Sequence, residues 1–437
     1  VVMMYEDTKQ LDDVVVVGFG KQKKESVIGA IQTVKSSELS VPSSSLTSAF
    51  AGKIAGVIAV QRTGEPGADG ANFWIRGVST FAGPTSPLIV LDGVEVSSSE
   101  LNALAPESIE SFSVLKDATA LYGAKGANGV MIITTKSGRD MDKPRINVRV
   151  ENYFSQPTKI PKLADGVTYM KMYNEGELNR NPDRVEPYFS DDKIAGTMEN
   201  RNPYVYPNVD WYKQLFNDLS SNQSVNLNVM GGSRRVDYFI NASIFNEHGM
   251  LKNYSQNQFD DNNIRQTRYS FQSNINAQLT KTTKVGLRLT TQIKNYSGPN
   301  VNTATLFTKT MQVNPVYFPA YFPNTGNEDV KHIMFGHKKQ YGIENPLALY
   351  LSEKKDNFET NVLSTFTIEQ KLDFLTKGLS AKGLISFQNW SSSSSVLGYT
   401  PFTYEIDSYE QTGDGSYDYV LSEVQAGTEA VVVKNSS

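Results

Sequence analysis

Three glycines, spaced three residues apart, stand directly before a β-branched run. They are Gly123, Gly126 and Gly129, and the run is VMIITT at 130–135. Glycines can let backbone N–H groups approach a phosphate, but the dinucleotide fingerprint needs G-x-G-x-x-G between a strand and a helix. Here the spacing is G-x-x-G-x-x-G and a strand follows. The pattern therefore favours a tight turn, in which glycine adopts backbone angles that other residues resist.

Residue types that bind metals are scarce in this sequence. Cysteine is absent, which excludes thiolate sites and disulfides. Two of the three histidines, His332 and His337, are five apart in a loop-like stretch without a helical HExxH pattern. Solvated loop histidines are the simpler interpretation of this pair. We expect no metal and no cofactor, with calcium bound by loop carboxylates as the alternative, although no EF-hand spacing occurs.

Acidic pairs are the remaining candidates for catalysis. Glycoside hydrolysis needs two carboxylates flanking a sugar. Asp191–Asp192 and Asp260–Asp261 lie in long polar stretches, where solvated surface is the better interpretation. There is no G-x-S-x-G and no nucleophile with a base at a recognisable spacing. We therefore predict no catalytic residues and no enzyme activity.

Length and charge limit the class of protein. A chain of 437 residues is too long for one ordinary domain, so we expect at least two. Lys plus Arg number 42 against 46 for Asp plus Glu, which argues against a nucleic-acid partner. No apolar run approaches the roughly 20 residues that a membrane helix needs. A transmembrane β-barrel stays possible, because its trace in a sequence is different and weaker.

The second half of the chain alternates apolar and polar residues. In RYSFQSNINAQLT, residues 268–280, Tyr269, Phe271 and Ile275 fall on odd positions. Gln272 and Asn274 fall on even ones. This period of two predicts strands with one apolar and one polar face. A soluble sandwich would alternate in the same way, so the connection lengths have to decide.

Those lengths favour a bacterial outer-membrane barrel. We predict strands near 145–154, 222–230, 236–246, 264–279, 284–297, 358–370 and 379–391. The connections are alternately long and short, with GGSRR, TKTT and KLDFLTKG as the short ones, which is the barrel pattern. Polar inner faces predict a wide lumen, and wide plugged barrels use about 22 strands. We expect one more strand around 431–433 and a chain that is the N-terminal portion of something larger.

The first half predicts a compact α+β unit over residues 26–140. We expect a Ser-capped helix around 45–51 and a short strand at 57–61. NFWIRG and PLIVLDG read as further strands, APESIESFSVLKD as the start of a helix, and 130–135 as the last strand. This unit contains no catalytic constellation.

At this point several motifs carry a family resemblance. LDDVVVVGFGKQKK, IRG, VLDGV and IESFSVLKDATALYGAKGANGVMIITTK resemble TonB-dependent outer-membrane transporters, and more narrowly the SusC-like glycan importers of Bacteroides-type bacteria. YPNVDWYKQLF and NPLAL are similar to the same subfamily. The resemblance implies an α+β plug domain followed by antiparallel transmembrane β-barrel strands, part of a plugged barrel of about 22 strands. It divides the chain into an extension with the TonB box at 1–25, the plug at 26–140, and barrel strands with long extracellular loops at 141–437.

The resemblance also implies a function and partners. The implied function is active import of a glycan across the outer membrane. The implied partners are TonB of the TonB–ExbB–ExbD complex, which drives import, a SusD-like surface lipoprotein that acts as a lid, and the outer-membrane lipid around the barrel. The TonB box would be Asp13, Val14, Val15, Val16, Val17 and Gly18. Four successive valines can add a strand to another protein's sheet edge, although an ordinary plug strand would look alike. A non-transporting outer-membrane glycan-binding or adhesion protein is the alternative.

The plug motifs of the family match Arg76, Gly77, Asp92, Gly93, Lys116, Asp117, Gly123, Gly126 and Gly129. For Arg76, the resemblance implies an ion pair between the plug arginine and a glutamate of the barrel wall. Hydrogen bonding of Arg76 to plug carbonyls is the alternative. For the glycines, it implies a turn whose side chains would otherwise meet the wall.

Two loops are candidates for ligand and lipoprotein contacts. Thr80, Phe81, Thr85 and Ser86 combine an aromatic ring with hydroxyl groups, which suits sugar rings, although a plain exposed loop would look the same. YFPAYFPNTG is rich in aromatic residues and proline, which favours a protein interface. We predict that Tyr317, Phe318, Tyr321 and Phe322 contact the lipoprotein.

Overall fold

The computed structural model describes three backbone strands within residues 14–35 and the chain from 45 to 436, apart from 79–84, 103, 117, 139–140, 142, 184, 255–257, 260, 325–329 and 429. Within these ranges the chain forms a small mixed domain, a curved antiparallel sheet and a layer of packed loops. We call them the plug, the wall and the loop layer. The loop layer consists of residues 156–219, 249–264, 300–352 and 399–431.

The plug is built on a five-stranded mixed sheet. The described strands of the plug, within and outside this sheet, are β1 Val14–Val17, β2 Gly20–Lys23, β3 Ile31–Lys35, β4 Val57–Val60, β5 Asn72–Ile75, β6 Leu88–Leu91, β7 Val94–Val96, β8 Ile109–Leu115 and β9 Val130–Thr135. Its helices are α1 Ser98–Asn102 and α2 Thr119–Tyr122. The main sheet has the order β3-β8-β9-β6-β7, whereas β1 pairs with β2 and β4 with β5. Only β6 and β9 run parallel in this sheet.

Apolar side chains fill the plug interior as in a soluble domain. Phe112 and Ile133 are fully buried, and the Phe50 ring lies 5.6 Å from the ring of Phe112 and 5.3 Å from that of Phe73. Burial of this kind contributes about 1.5–3 kcal/mol for each large apolar side chain. The wall adds Leu363 to the same cluster, so the plug core reaches the barrel.

Two helix predictions in the plug are corrected. APESIESFSVLKD does not start a helix: a single 3₁₀ turn, Pro106–Ser108, precedes the strand β8. Pro106 suits a first turn, but the β-branched and aromatic residues after it pair between two strands of the main sheet. The helix expected at 45–51 is a 3₁₀ segment, Leu46–Phe50, and the Ser45 side chain does not cap it.

The wall confirms the predicted strands. It contains β10 Arg145–Ser155, β11 Ser220–Gly232, β12 Val236–His248, β13 Arg265–Gln278, β14 Thr283–Pro299, β17 Glu353–Lys371, β18 Ser380–Gly398 and β21 Val432–Ser436. Each strand pairs antiparallel with the next in this order. Five of the seven expected strands lie within two residues of their predicted bounds, whereas β17 begins five residues before its predicted start and β18 ends seven residues after its predicted end. Strand β21 is the additional one expected around 431–433.

Burial across the wall is the reverse of that in a soluble sheet. On the inner face Asn241 and Asn274 are 1% and 2% exposed, whereas on the outer face Val150 and Phe387 are 72% and 63% exposed. Apolar side chains outside and polar ones inside are what a strand needs between lipid and a hydrated lumen. No helix in the described part of the chain is both long and apolar enough to cross a membrane.

The loop layer lies at the end of the wall with the long connections. It contains α3 Gly166–Arg180, α4 Asp191–Met198, α5 Trp211–Leu215, α6 Thr303–Gln312 and α7 Pro346–Leu351, with short strands β15 Tyr321–Phe322, β16 Met334–Gly336, β19 Thr403–Gln411 and β20 Tyr417–Gln425. These four strands form a separate sheet in the order β15-β16-β19-β20. The layer has its own core, in which Phe335 and Tyr350 are fully buried.

Candidate functional site

The glycine-rich stretch at 123–129 is a turn, as predicted, and it leads into β9. Gly123 and Gly129 have φ of 58° and 83°, which glycine adopts without strain. A methyl group at Gly126 would lie 2.7 Å from the carbonyl oxygen of Ala118, and one at Gly129 would lie 2.9 Å from the Ile75 side chain. Among the described residues both clashes are with the plug rather than with the wall, and a methyl group at Gly123 would meet no atom within 4 Å.

A second motif, Asp92–Gly93, forms the two-residue turn between β6 and β7. Their φ values of 49° and 92° are those of a type I′ hairpin, for which Asp-Gly is a preferred sequence. The Asp92 carboxylate accepts hydrogen bonds from the backbone N–H, at 3.0 Å, and from the hydroxyl of Thr135. Its Oδ2 also lies 3.4 Å from Nε of the wall residue Arg288. Asp92 therefore links the hairpin, β9 and the wall.

Arg76 does not form the expected pair with a wall glutamate within the described part of the chain. It is exposed, it has a φ of 61°, and its backbone N–H donates to the Gly56 carbonyl at 2.9 Å. The expected pair had the arginine on the plug and the glutamate on the wall, but the observed pair is reversed: Arg149 of the wall lies 2.9 Å from Glu107 of the plug. Positive φ values at Arg76 and Gly77 make this motif a backbone turn.

Of the other plug-motif residues, Lys116 is half-buried and extends over Gly56. Asp117 lies outside the described residues.

Glu100, on α1, makes the densest polar contact between plug and wall. Its Oε1 accepts hydrogen bonds from the side-chain amides of Asn361, at 2.8 Å, and Gln388. Its backbone carbonyl accepts from the Gln292 amide at 3.5 Å. Hydrogen bonds to a charged acceptor contribute about 1.5–3 kcal/mol. We call this group of four residues the Glu100 contact.

The exit of the plug is held by a second contact. The Asn274 amide on β13 donates to the Thr135 hydroxyl at 2.7 Å and to the Lys136 carbonyl at 2.6 Å. These two contacts are polar, as are the ion pairs Asp92–Arg288 and Glu107–Arg149, whereas Leu363 is the wall residue that joins the apolar plug core among the described residues. The boundary thus resembles a hydrated interface more than a continuous apolar core.

A cleft opens above the Glu100 contact, between plug and wall. It consists of two cavities, of about 300 and 380 Å³, that share Ser99, Lys294 and Glu359. Lys294 and Glu359 form an ion pair at 3.5 Å. At one end lies Trp390, whose exposed fraction is 64%, and at the other Tyr296. Aromatic faces beside amides and charged groups suit a polar ligand with flat faces.

Trp390 and Glu100 were not among the predicted site residues. Trp390 could have been found from the alternation of side chains along β18. Ile385 and Phe387, at odd positions, lie on the outer face, so the even positions 388 and 390 lie on the inner face. An aromatic residue on a polar inner face is a candidate ligand contact. Glu100 offered no such signal, because its partners are more than 190 residues away in the sequence.

The predicted ligand residues do not line this cleft. Thr80 and Phe81 lie outside the described residues. Thr85 is half-buried and its hydroxyl accepts a hydrogen bond from the Trp74 indole at 3.3 Å, while Ser86 is exposed. For these residues a ligand contact stays a prediction.

The predicted lipoprotein contacts are corrected in part. Phe318 and Phe322 are each 2% exposed and belong to the loop layer's interior, so they cannot be a free interface. Tyr317 stacks on Tyr341 with ring centroids 4.0 Å apart, and Tyr321 is half-buried. The aromatic-rich stretch stabilises the loop layer itself, because long loops need a core of their own to stay ordered.

The predicted TonB box is a strand. Val14–Val17 pairs antiparallel with Gly20–Lys23, and Asp13 and Gly18 lie outside the described residues. Among the described strands, β1 pairs with β2 alone.

His332 and His337 were predicted to be solvated loop residues, but both rings pack against aromatic rings. His332 stacks on Phe402 at 3.7 Å and its Nε2 lies 2.9 Å from the Tyr404 hydroxyl. The His337 ring is parallel to that of Phe318. Among the described residues no three His, Asp or Glu side chains come together as a metal site. The absence of a metal or cofactor stays a prediction.

Comparison with known proteins decides what the plug is. Residues 23–130 match the family model described as TonB-dependent Receptor Plug Domain. These residues are thus similar to the plug of TonB-dependent receptors. The TonB-dependent receptor SusC of Bacteroides thetaiotaomicron is 31% identical over 262 residues, which are 57% of this chain and 24% of that protein. TonB-dependent receptor P26 of Formosa agariphila is 28% identical over 370 residues, 83% of this chain and 34% of that protein.

The solved structures agree on the fold. The RagAB peptide importer in its open-open state matches with a TM-score of 0.67 and 22% identity, over 88% of this chain and 43% of that chain. The chain thus spans about a quarter to a third of the curated relatives and under half of this solved relative. It is related to SusC-type TonB-dependent receptors, and plug, wall and apolar outer face place it in the outer membrane.

Proposed function

We propose that this chain belongs to an importer that moves an oligosaccharide across the outer membrane and is driven by TonB. The observation that carries the proposal is the cleft between plug and wall, with Trp390 exposed beside the amides of Asn361 and Gln388. A ligand in this cleft would contact the plug and the wall at once. Displacement of the plug would then release it towards the periplasm.

A sugar is favoured as the ligand because of the lining. The Trp390 face offers apolar contact to a ring, while amides and Ser99 offer donors and acceptors to hydroxyl groups. A peptide is the second candidate: the Lys294–Glu359 pair could bind its charged groups, and the solved RagAB relative is a peptide importer. Both would use the same cleft.

Calorimetry of Trp390→Ala tests the cleft. We would titrate the protein with neutral oligosaccharides and with short peptides, using Phe387→Ala as control. Phe387 is equally exposed and on the same strand, but on the outer face. Affinity for the bound class should fall at least about tenfold in Trp390→Ala and stay unchanged in Phe387→Ala. Equal affinity in all three proteins would remove the cleft from the account.

Strand addition to TonB is supported by the four successive valines of β1, which form a strand that pairs with β2 alone among the described strands. A proline at Val15 removes a pairing N–H from this strand. We expect uptake to be lost in Val15→Pro while ligand binding is kept, and Leu163→Pro, in an exposed loop, to change neither. Retained uptake in Val15→Pro would sink this assignment. A non-transporting adhesion protein, the alternative, predicts no uptake in the wild type.

A SusD-like lipoprotein as lid is proposed from the relationship to SusC. Since Phe318 and Phe322 are buried, exposed apolar side chains of the loop layer, such as Met172 and Val185, are better candidates for its seat. Charge substitutions at these two should weaken the complex in pull-downs. Full retention of the lipoprotein would place its seat elsewhere.

A further inference from the structure

A separate cavity of about 340 Å³ lies inside the loop layer. Its walls come from α4, from residues 204–207, 316–322 and 337–341, and from β19. Tyrosine rings, two lysines and a histidine characterise the lining: Tyr204, Tyr341, Tyr409, Lys193, Lys338 and His337. We call it the tyrosine cavity. It shares no residue with the cleft between plug and wall.

Lys193 is the charged group of the tyrosine cavity without an acidic partner. Its ammonium donates one hydrogen bond, to the Val205 carbonyl at 2.7 Å, and lies 5.3 Å from the centroid of the Tyr206 ring. The neighbouring Asp192 is already bonded to Arg201 and Tyr206. No carboxylate in the described part of the chain lies within ion-pair distance of Lys193. An ammonium has three donors, so two are left for a ligand.

The surroundings of Lys193 are unfavourable to its charge. Burial, and then the charge of Lys338, lowers the pKa of Lys193 to about 8. Lys338 itself pairs with Glu405 at 3.3 Å. The one carboxylate in the lining, Asp407, is exposed to solvent. A bound anion would relieve both the desolvation and the repulsion.

His337 adds an unused polar atom. Its Nδ1 is buried and has no hydrogen-bond partner among the described residues. Burial lowers the pKa of His337 and so favours the neutral ring, in which Nδ1 can donate or accept one hydrogen bond, depending on the tautomer. Buried polar atoms normally have a partner, which makes this atom a candidate ligand contact.

We propose that the tyrosine cavity binds the carboxylate group of a small ligand, with Lys193 and Lys338 at the carboxylate and the tyrosine rings against its body. Sugar acids and peptide C-termini share this chemistry. The site is independent of the proposed import, because it lies outside the cleft and its occupancy is measured by binding alone. The cavity is at the small end of ligand sites, which span about 300–1,000 Å³.

Matched ligand pairs test the proposal by calorimetry at pH 7 on the full chain. One pair is methyl glucuronide and methyl glucoside; the other is N-acetyl-alanyl-tyrosine and its C-terminal amide. Within at least one pair the acid should bind about tenfold tighter than its neutral counterpart, and the pair that responds identifies the source of the carboxylate. Equal affinity within both pairs, or no binding by either acid, would overturn the proposal.

Substitutions distinguish a specific role of Lys193 from a general effect of positive charge on the protein surface. Lys193→Met should abolish the preference for the acid, and Lys171→Met, on the exposed face of α3, should keep it. A preference that survives in Lys193→Met would overturn the proposal. Should Lys193→Met lower the unfolding midpoint, Lys338→Met decides instead, because that side chain is more exposed and its loss should reduce the preference at least about threefold. No change in Lys338→Met would then refute the site.

Discussion

The plug and the wall are both built from β-strands, yet they bury opposite residue types. In the plug sheet Phe112 and Ile133 are fully buried, whereas on β13 of the wall Asn274 is 2% exposed and Phe271 is 41% exposed. The plug thus folds by removing apolar groups from water. The wall needs lipid outside and polar partners inside. Most of the contacts named between them are polar on both sides, with Leu363 as the apolar exception.

The largest effect is expected in the plug core. Phe112→Ala should destabilise the plug by about 3–5 kcal/mol, because it leaves a cavity among fully buried side chains. Limited proteolysis of the plug in native membranes measures this. Leu121→Ala, an exposed plug position, should cost no more than about 0.5 kcal/mol. Similar protease resistance in both variants would mean that the plug is not stabilised by its own core.

A charge on the outer face of the wall should have the next largest effect. Leu227→Arg places a guanidinium against lipid near the middle of β11 and should cost about 2–4 kcal/mol. Asn228→Arg, one residue on, faces the lumen and should cost clearly less. Urea unfolding in lipid vesicles gives both values. Equal costs would contradict the assignment of the two faces.

The Glu100 contact predicts a smaller effect, located at the boundary. Glu100→Ala removes the acceptor of two wall amides and should weaken plug docking by about 1.5–3 kcal/mol. Glu95→Ala removes an exposed pair with Lys125 and should cost at most about 1 kcal/mol. Hydrogen exchange of α1 reports the docking. Equal exchange rates in the two variants would show that Glu100 does not hold the plug.

The prediction with the smallest expected effect on stability concerns Lys193 in the loop layer. With a pKa of about 8, Lys193 loses its proton at a lower pH than an ordinary lysine does. Its amine therefore becomes reactive to acylation at a lower pH. Competitive labelling with mass spectrometry should give a midpoint near pH 8 for Lys193, whose charged neighbours are Lys338 and Asp192. A short unstructured lysine peptide in the same sample is the reference, since an unperturbed lysine has a pKa of about 10.4. Coinciding midpoints would contradict the environment described for Lys193.

Sequence pattern was sufficient for the wall because alternation and connection length are local signals. Strand β13 was expected at 264–279 and lies at Arg265–Gln278. The same reasoning missed β19 and β20, which are nine residues each and lie inside a long connection. It also misread β8, where pairing in the sheet overrides a proline that suits a helix start.

The polarity of the plug–wall contacts could not be read from local pattern. Arg149 and Glu107 are 42 residues apart, and Glu100 and Gln388 are 288 apart. Only the folded arrangement shows that the wall carries the arginine. Burial of Phe318 and Phe322 was hidden for a related reason, since aromatic residues serve an interface or a local core equally well.

The central claim is that the plug must move relative to the wall for import, and a reversible cross-link tests it directly. The chain has no cysteine, so Thr135→Cys with Asn274→Cys supplies the only thiols, at side chains now in contact. A control pair, Ser243→Cys with Ser270→Cys, joins two neighbouring wall strands. In cells supplied with the ligand selected by calorimetry, oxidation should abolish uptake in the first variant and leave the control unchanged, with recovery after reduction. Undiminished uptake through a fully cross-linked plug would contradict the account.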